Sequence, residues 1–207
     1  MPDALKQNLQ KAYNQKARHR DASAVENWKL TEQENFLSLL LQEQKQTLLE
    51  LGAGPGQASA LFRARGLNVL CTDFSPEMVK LCRQKGLSAL LVDFTALPFA
   101  PASFDAIYAL NCLLHIPKKE MPHVLAGIAA ALKPNGLFYL GLHGGHDHEG
   151  IWQDDFYEPK RFFSFYSDAS LLKMVQPLFQ VHSFKQLVPD FSQPHFTFQS
   201  LILRKPE

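Results

Sequence analysis

Residues 48–56 read Leu-Leu-Glu-Leu-Gly-Ala-Gly-Pro-Gly: a short apolar run holding one acid, then glycine at every second position. The run TLLEL has the length and composition of a strand buried on both faces of a parallel sheet. Glycines placed directly after it allow a tight turn and let a ligand approach bare backbone, because no Cβ stands in the way. Residues 57–65 read as a helix, so the turn sets free N–H groups and a helix N-terminus beside whatever binds. This arrangement suits a nucleotide.

Which nucleotide follows from what the turn lacks. Gln57 stands where a GxGxxG fingerprint needs glycine, and no GK[ST] follows the glycines. Neither the dinucleotide pattern nor a phosphate-cradling loop is met. Downstream, Asn68–Asp73 reads as a second strand, with Gly66 closing the helix before it. Asp73 falls 17 residues after Gly56, close to the spacing of about 20 shown by ribose-binding acids. Ser75, Pro76 and Glu77 then make a strong helix start: a cap, a rigid first turn and an acid at the positive end.

The order ELGAGPG, then VLCTDFSPEM, resembles the class I S-adenosylmethionine-dependent methyltransferases. That resemblance covers roughly residues 45–207 and implies a Rossmann-like, doubly wound α/β fold. Its sheet has seven strands, mostly parallel, and ends in a C-terminal antiparallel hairpin. It implies S-adenosyl-L-methionine as cofactor. Glu50, Gly52, Ala53, Gly54 and Gly56 then form the cofactor turn, and Asp73 takes the ribose hydroxyls. Phe74 and Met78 offer apolar contact to the adenine, with core packing the alternative for Met78. Ser75 joins the cofactor-binding set, Asp93 accepts from the adenine amino group, and Phe94 walls it with Leu97. Asn111, at the carboxyl end of the fourth strand, meets the amino-acid part of the cofactor.

The rest of the chain fits one domain. With 207 residues, 46% apolar and 20% charged, it is long enough to bury a substantial core. Twenty-one Lys and Arg against 20 Asp and Glu give no overall field to attract nucleic acid or an anionic membrane. Three cysteines without metal-type spacing read as reduced thiols. With no signal-like segment and no apolar run approaching about 20 residues, a cytoplasmic location is the default.

Residues 1–44 precede the first strand as a helical cap. Residues 3–20 form a weakly amphipathic helix, either a surface helix or, as the resemblance implies, a lid carrying Tyr13 over the cofactor. Trp28 and Lys29 fall in a less regular stretch. Thr31–Gln44 reads as a second helix with Thr31 as N-cap, Glu34 completing a capping box, and Phe36, Leu37, Leu40 and Leu41 as apolar face.

Strands then alternate with helices. LSALLVDF is the third strand, Phe104–Leu110 the fourth, and a helix from Lys118, or nearer Met121, runs to Leu132. KPNG makes a turn before LFYLGL. HGGHDHEG at 143–150 offers ligand atoms, but its glycines and the absence of a helical His pair argue against a metal. That loop and Trp152, Asp154, Asp155, Tyr157, Arg161, Phe162 and Phe163 form either an acceptor wall or an irregular cover. Asp168 caps a last helix, and 179–187 with 196–204 make the final hairpin around VPDFSQP.

The implied reaction is in-line displacement at a sulfonium methyl by a small-molecule acceptor. His115, His143 and His146 are the candidate bases, since an imidazole near neutrality suits proton transfer; for His115 the alternative is a structural histidine bonding a backbone carbonyl. A protein that binds the cofactor without turnover is the alternative, and a nicotinamide oxidoreductase is disfavoured by Gln57.

Overall fold

The computed structural model describes residues 1–188 and 197–207. Two helices, α1 (Asp3–Ala22) and α2 (Asn27–Gln42), precede the sheet. Then come β1 (Thr47–Leu51), α3 (Gln57–Ala64), β2 (Asn68–Asp73), α4 (Pro76–Gln84), β3 (Ser88–Leu91) and β4 (Phe104–Leu110). The second half holds α5 (Met121–Ala131), β5 (Leu132–Gly144), β6 (His148–Ile151), β7 (Phe162–Phe165), α6 (Asp168–Val175), β8 (Gln180–Leu187) and β9 (Thr197–Arg204). Seven strands form one sheet in the order β3-β2-β1-β4-β5-β9-β8, parallel except for β9, which runs antiparallel to both neighbours. This is the expected sheet with its terminal hairpin. Strand order reverses at β1 and β4, and the crevice outside their carboxyl ends is where open α/β sheets bind ligands.

Period-two alternation builds a core on each face. Leu49 and Leu51 of β1 join Ile107 and Ala109 of β4 and Phe138 and Leu140 of β5 under α5 and α6. Leu48, Ala106, Tyr108, Leu137 and Tyr139 face the other way, against Phe36, Leu37 and Leu40 of α2 and Phe62 of α3. At about 1.5–3 kcal/mol for each fully buried large apolar side chain, these two layers hold the sheet rigid, and the loops at its edge inherit that rigidity.

Several local expectations are corrected. The second helix begins at Asn27, so Trp28 and Lys29 lie in its first turn and Thr31 is no cap. Thr31 Oγ1 instead donates to the Asn27 carbonyl at 3.1 Å, the back-bond of an interior threonine, and Glu34 reaches Arg65 at 2.8 Å. Leu41 is exposed. Ser167, not Asp168, caps α6, accepting from Ser170 N. The 143–150 stretch is not an irregular loop: β5 continues through Gly144, and β6 pairs antiparallel with β7 as a separate hairpin. KPNG is not a turn before the strand: residues 133–136 lie within β5, at a register shift against Phe104 and Ala106 of β4, where Asn135 takes the left-handed conformation, φ 60°. Most of VPDFSQP, and Phe196, lie outside the described residues. Among those residues no helix is long and apolar enough to cross a membrane.

Candidate active site

At the end of β1 the chain turns through three left-handed glycines, Gly52, Gly54 and Gly56 (φ 63°, 55° and 82°). They are not equivalent. A Cβ on Gly52 would collide with Cys112 Cβ, because β4 ends against the turn. A Cβ on Gly56 would sit 2.6 Å from Leu87 Cδ1 and 2.9 Å from Cys82 Sγ. At Gly54 a Cβ would meet nothing within 4 Å. Gly52 and Gly56 serve packing, while Gly54 turns bare backbone toward open space.

Asp73 ties the turn to the next helix. Its Oδ2 accepts from Gly54 N and its Oδ1 from Ser75 N, both at 2.8 Å. Burial raises its carboxyl pKa, and the two amides oppose that rise without cancelling it. Ser75 caps α4 as expected, accepting from Met78 N at 3.2 Å. Asn111 closes the opposite wall at φ 54°, its Oδ1 accepting from His143 N at 3.2 Å.

These residues surround a cavity of about 490 Å³, its open mouth included. The sheet edge contributes Gly52, Gly54, Asp73, Phe74, Ser75, Phe94, Leu110, Asn111, Cys112 and His115. Leu9, Gln10, Tyr13 and Arg20 of α1 roof it. The helix is fastened there: Gln10 Nε2 donates to Phe74 O at 2.9 Å, and Ser75 Oγ to Asn14 Oδ1 at 2.5 Å. Tyr13 sits in that roof. Gln10 and Arg20 carried no signal of their own, although Arg20 lies seven residues after Tyr13 on the same helical face.

Other expected residues stand elsewhere. Glu50 shares its face of β1 with Leu48, so it points under α3, bonded to Ser59. Burial there pushes its carboxyl up to about 8, keeping it neutral. Met78 is fully buried on the inward face of α4 and does not line the cavity. Ala53 and Gly56 shape the turn without lining it. Asp93 is absent from the wall: Lys6 takes Oδ2 at 2.5 Å, and Thr95 takes Oδ1 through both its amide and its hydroxyl. Leu97 packs on the main core. Lys29 pairs with Glu26.

Of the three histidines only His115 reaches the cavity. It is 3% exposed, its Nδ1 is 2.8 Å from Phe162 O and its Nε2 2.7 Å from the Tyr13 hydroxyl. Burial and then the nearby Arg161 charge lower its pKa to about 3. His143 packs between Trp28 and Phe198, and burial lowers it to about 4. His146 lies against Phe165. Among the described residues no cluster of three His, Cys, Asp or Glu is placed to hold a metal.

Residues 49–140 match the family described as a methyltransferase domain. The chain is 29% identical over 145 residues to a malonyl-[acyl-carrier protein] O-methyltransferase of Xylella fastidiosa, 66% of this chain and 48% of that protein. It is 32% identical over 100 residues to a ubiquinone biosynthesis O-methyltransferase of the same species, 45% of this chain and 40% of that protein. The chain thus spans about half the length of the curated relatives it matches. In fold it is similar to the Burkholderia thailandensis 1,6-didemethyltoxoflavin-N1-methyltransferase, solved with S-adenosylhomocysteine bound. That match has a TM-score of 0.73 at 18% identity and covers 96% of this chain and 88% of that one. With the turn, Asp73 and the sheet order in place, the chain is similar to the methyltransferase-domain family over residues 49–140 and shares the fold of a methyltransferase solved with S-adenosylhomocysteine bound.

Proposed function

We propose that the protein binds S-adenosyl-L-methionine in the α1-roofed cavity and transfers its methyl group to a small-molecule acceptor by in-line displacement. One observation carries this: the open backbone at Gly54, the Asp73 carboxylate and Asn111 meet in a single cavity at the switch point of the sheet. The residues present fit the cofactor. Gly54 leaves room against the main chain for its amino-acid part, and Asp73 keeps lone pairs free for ribose hydroxyls. Phe74 and Phe94 offer apolar walls to a base.

Bound there, the cofactor supplies a methyl group already activated on a positive sulfur. The chain's own task is alignment and exclusion of water, effects worth up to roughly 7–11 kcal/mol where geometry is well set. Leu9, Gln10 and Tyr13 supply the roof. His115, neutral and bonded at both ring nitrogens, orients a wall rather than abstracting a proton. Residues 1–44 act as the cap of a single domain. Three free, buried cysteines suit a reducing compartment, and we place the protein in the cytoplasm.

The two curated relatives are named O-methyltransferases and the solved neighbour an N1-methyltransferase, so oxygen and nitrogen acceptors are the first to try. Calorimetry with S-adenosylmethionine, S-adenosylhomocysteine and NADH tests the cofactor. Homocysteine release with catechol, malonyl thioester and an amine panel tests transfer. Binding of the first two ligands with turnover of one acceptor is expected. Binding without turnover on any acceptor supports a sensor instead, and NADH binding alone rejects the assignment.

A further inference from the structure

Arg161 lies in the segment between β6 and β7 and is 9% exposed. Asp155 grips it on two sides, with Nε to Oδ2 and Nη2 to Oδ1 both at 2.8 Å, and accepts from its backbone N as well. The guanidinium carbon stands 3.6 Å from the centre of the Tyr157 ring. One arm remains, and Nη1 lies 2.9 Å from the Tyr13 hydroxyl.

The directions of the bonds beyond that arm follow from donor chemistry. A backbone carbonyl can only accept, so His115 carries its proton on Nδ1, toward Phe162 O. Nε2 is then a bare lone pair, and the Tyr13 hydroxyl must donate to it. Guanidinium can only donate, so the Tyr13 oxygen accepts from Arg161. The chain runs one way: Arg161 to Tyr13 to His115 to Phe162. It links the α1 roof, the sheet edge and the β6–β7 segment.

We propose that Arg161 is a positioning residue for the cofactor site. Held by Asp155 and Tyr157, it fixes the Tyr13 phenol with its proton committed to His115 and one oxygen lone pair left for the cavity. Tyr13 lines that cavity, so it offers an acceptor, not a donor, to what binds. The matching ligand chemistry is a cationic N–H donor, which the ammonium group of the cofactor's amino-acid part supplies. This assignment rests on the cofactor reading above.

The test uses the full chain and two probes: S-adenosylhomocysteine, which carries the ammonium group, and 5′-methylthioadenosine, which lacks the amino-acid part. Arg161→Met and Tyr13→Phe should each weaken S-adenosylhomocysteine about tenfold, the loss expected for one charge-assisted bond. Each should change 5′-methylthioadenosine by less than about twofold on the same argument. In the Tyr13→Phe background the further effect of Arg161→Met should vanish, since neighbours acting through one contact are not additive. Should Arg161→Met fail to fold, Arg161→Lys keeps a cation for Asp155 without the fork that reaches Tyr13, and the same selective loss is expected. Equal losses with both probes, or additive losses in the double variant, overturn this assignment alone. A wild-type protein that binds neither probe overturns the cofactor reading and takes this one with it.

Discussion

The Lys6 ammonium of α1 lies 2.5 Å from Asp93 Oδ2 and 3.2 Å from Thr95 Oγ1. The acid just beyond β3 is therefore engaged from the roof and not only from its own loop. Burial raises its pKa, but Lys6 and Thr95 outweigh that and hold the carboxyl below the usual range. Lys6 occupies an oxygen that an adenine amino group would use. Both side chains are partly exposed, 25% and 30%, so the pair is worth at most about 1 kcal/mol. Lys6→Met should raise S-adenosylhomocysteine affinity by up to about fivefold and speed amide exchange in the first turns of α1. A weakened affinity by calorimetry would show that Lys6 assists adenine binding instead.

Glu50 makes a pH-dependent prediction. Its carboxyl is raised from 4.5 to about 8 by burial, so the folded state holds a proton that the unfolded chain has released. Stability from this group is complete below the unfolded value and falls as pH rises toward about 8, by roughly 3–5 kcal/mol. Glu50→Gln keeps the Ser59 partner and should flatten that slope, melting above wild type at pH 8. Because Glu50 faces α3 rather than the cavity, S-adenosylhomocysteine affinity should stay within about twofold, a change of under half a kcal/mol. A pH profile of denaturant midpoints parallel to wild type contradicts the neutral carboxyl.

The glycine turn separates packing from binding. Gly52→Ala forces a left-handed alanine against Cys112 and should destabilise by more than about 2 kcal/mol. Gly54→Ala meets open space and should cost only about 1 kcal/mol of backbone strain, yet place a methyl group where the ligand approaches. Thermal melts and ligand titrations together check this. If Gly54→Ala binds S-adenosylhomocysteine like wild type, the ligand does not lie against that backbone.

Much of this was legible in the sequence because its causes are local. Glycine at alternate positions after TLLEL, an acid ending the next strand and Ser-Pro-Glu at a helix start each bias φ, ψ or a cap directly. The bounds of β1 and β2 follow from them. What escaped depends on distant partners. Glu50 and Asp73 are both strand acids, and only strand parity and the crossing of α3 send one into a dry core and leave the other at a crevice. Thr31 has a capping residue's chemistry, but ENWKL before it sustains a helix, and the helix ran through. The tethering of α1 by Lys6, Gln10 and Asn14 joins residues more than 60 positions apart, a relation no short pattern encodes. The β6–β7 hairpin escaped because two glycines read as loop, although His148 to Ile151 finds a partner in Phe162 to Phe165.

In the proposed site Asp73 and the Gly54 backbone face one adenosyl ligand. Calorimetric titration of S-adenosylhomocysteine into wild type and Asp73→Asn tests it most directly. Micromolar or tighter binding is expected for wild type, about −8 kcal/mol or better, with a loss of at least about tenfold in the variant. Equal affinity in both proteins, or none in wild type, would contradict it.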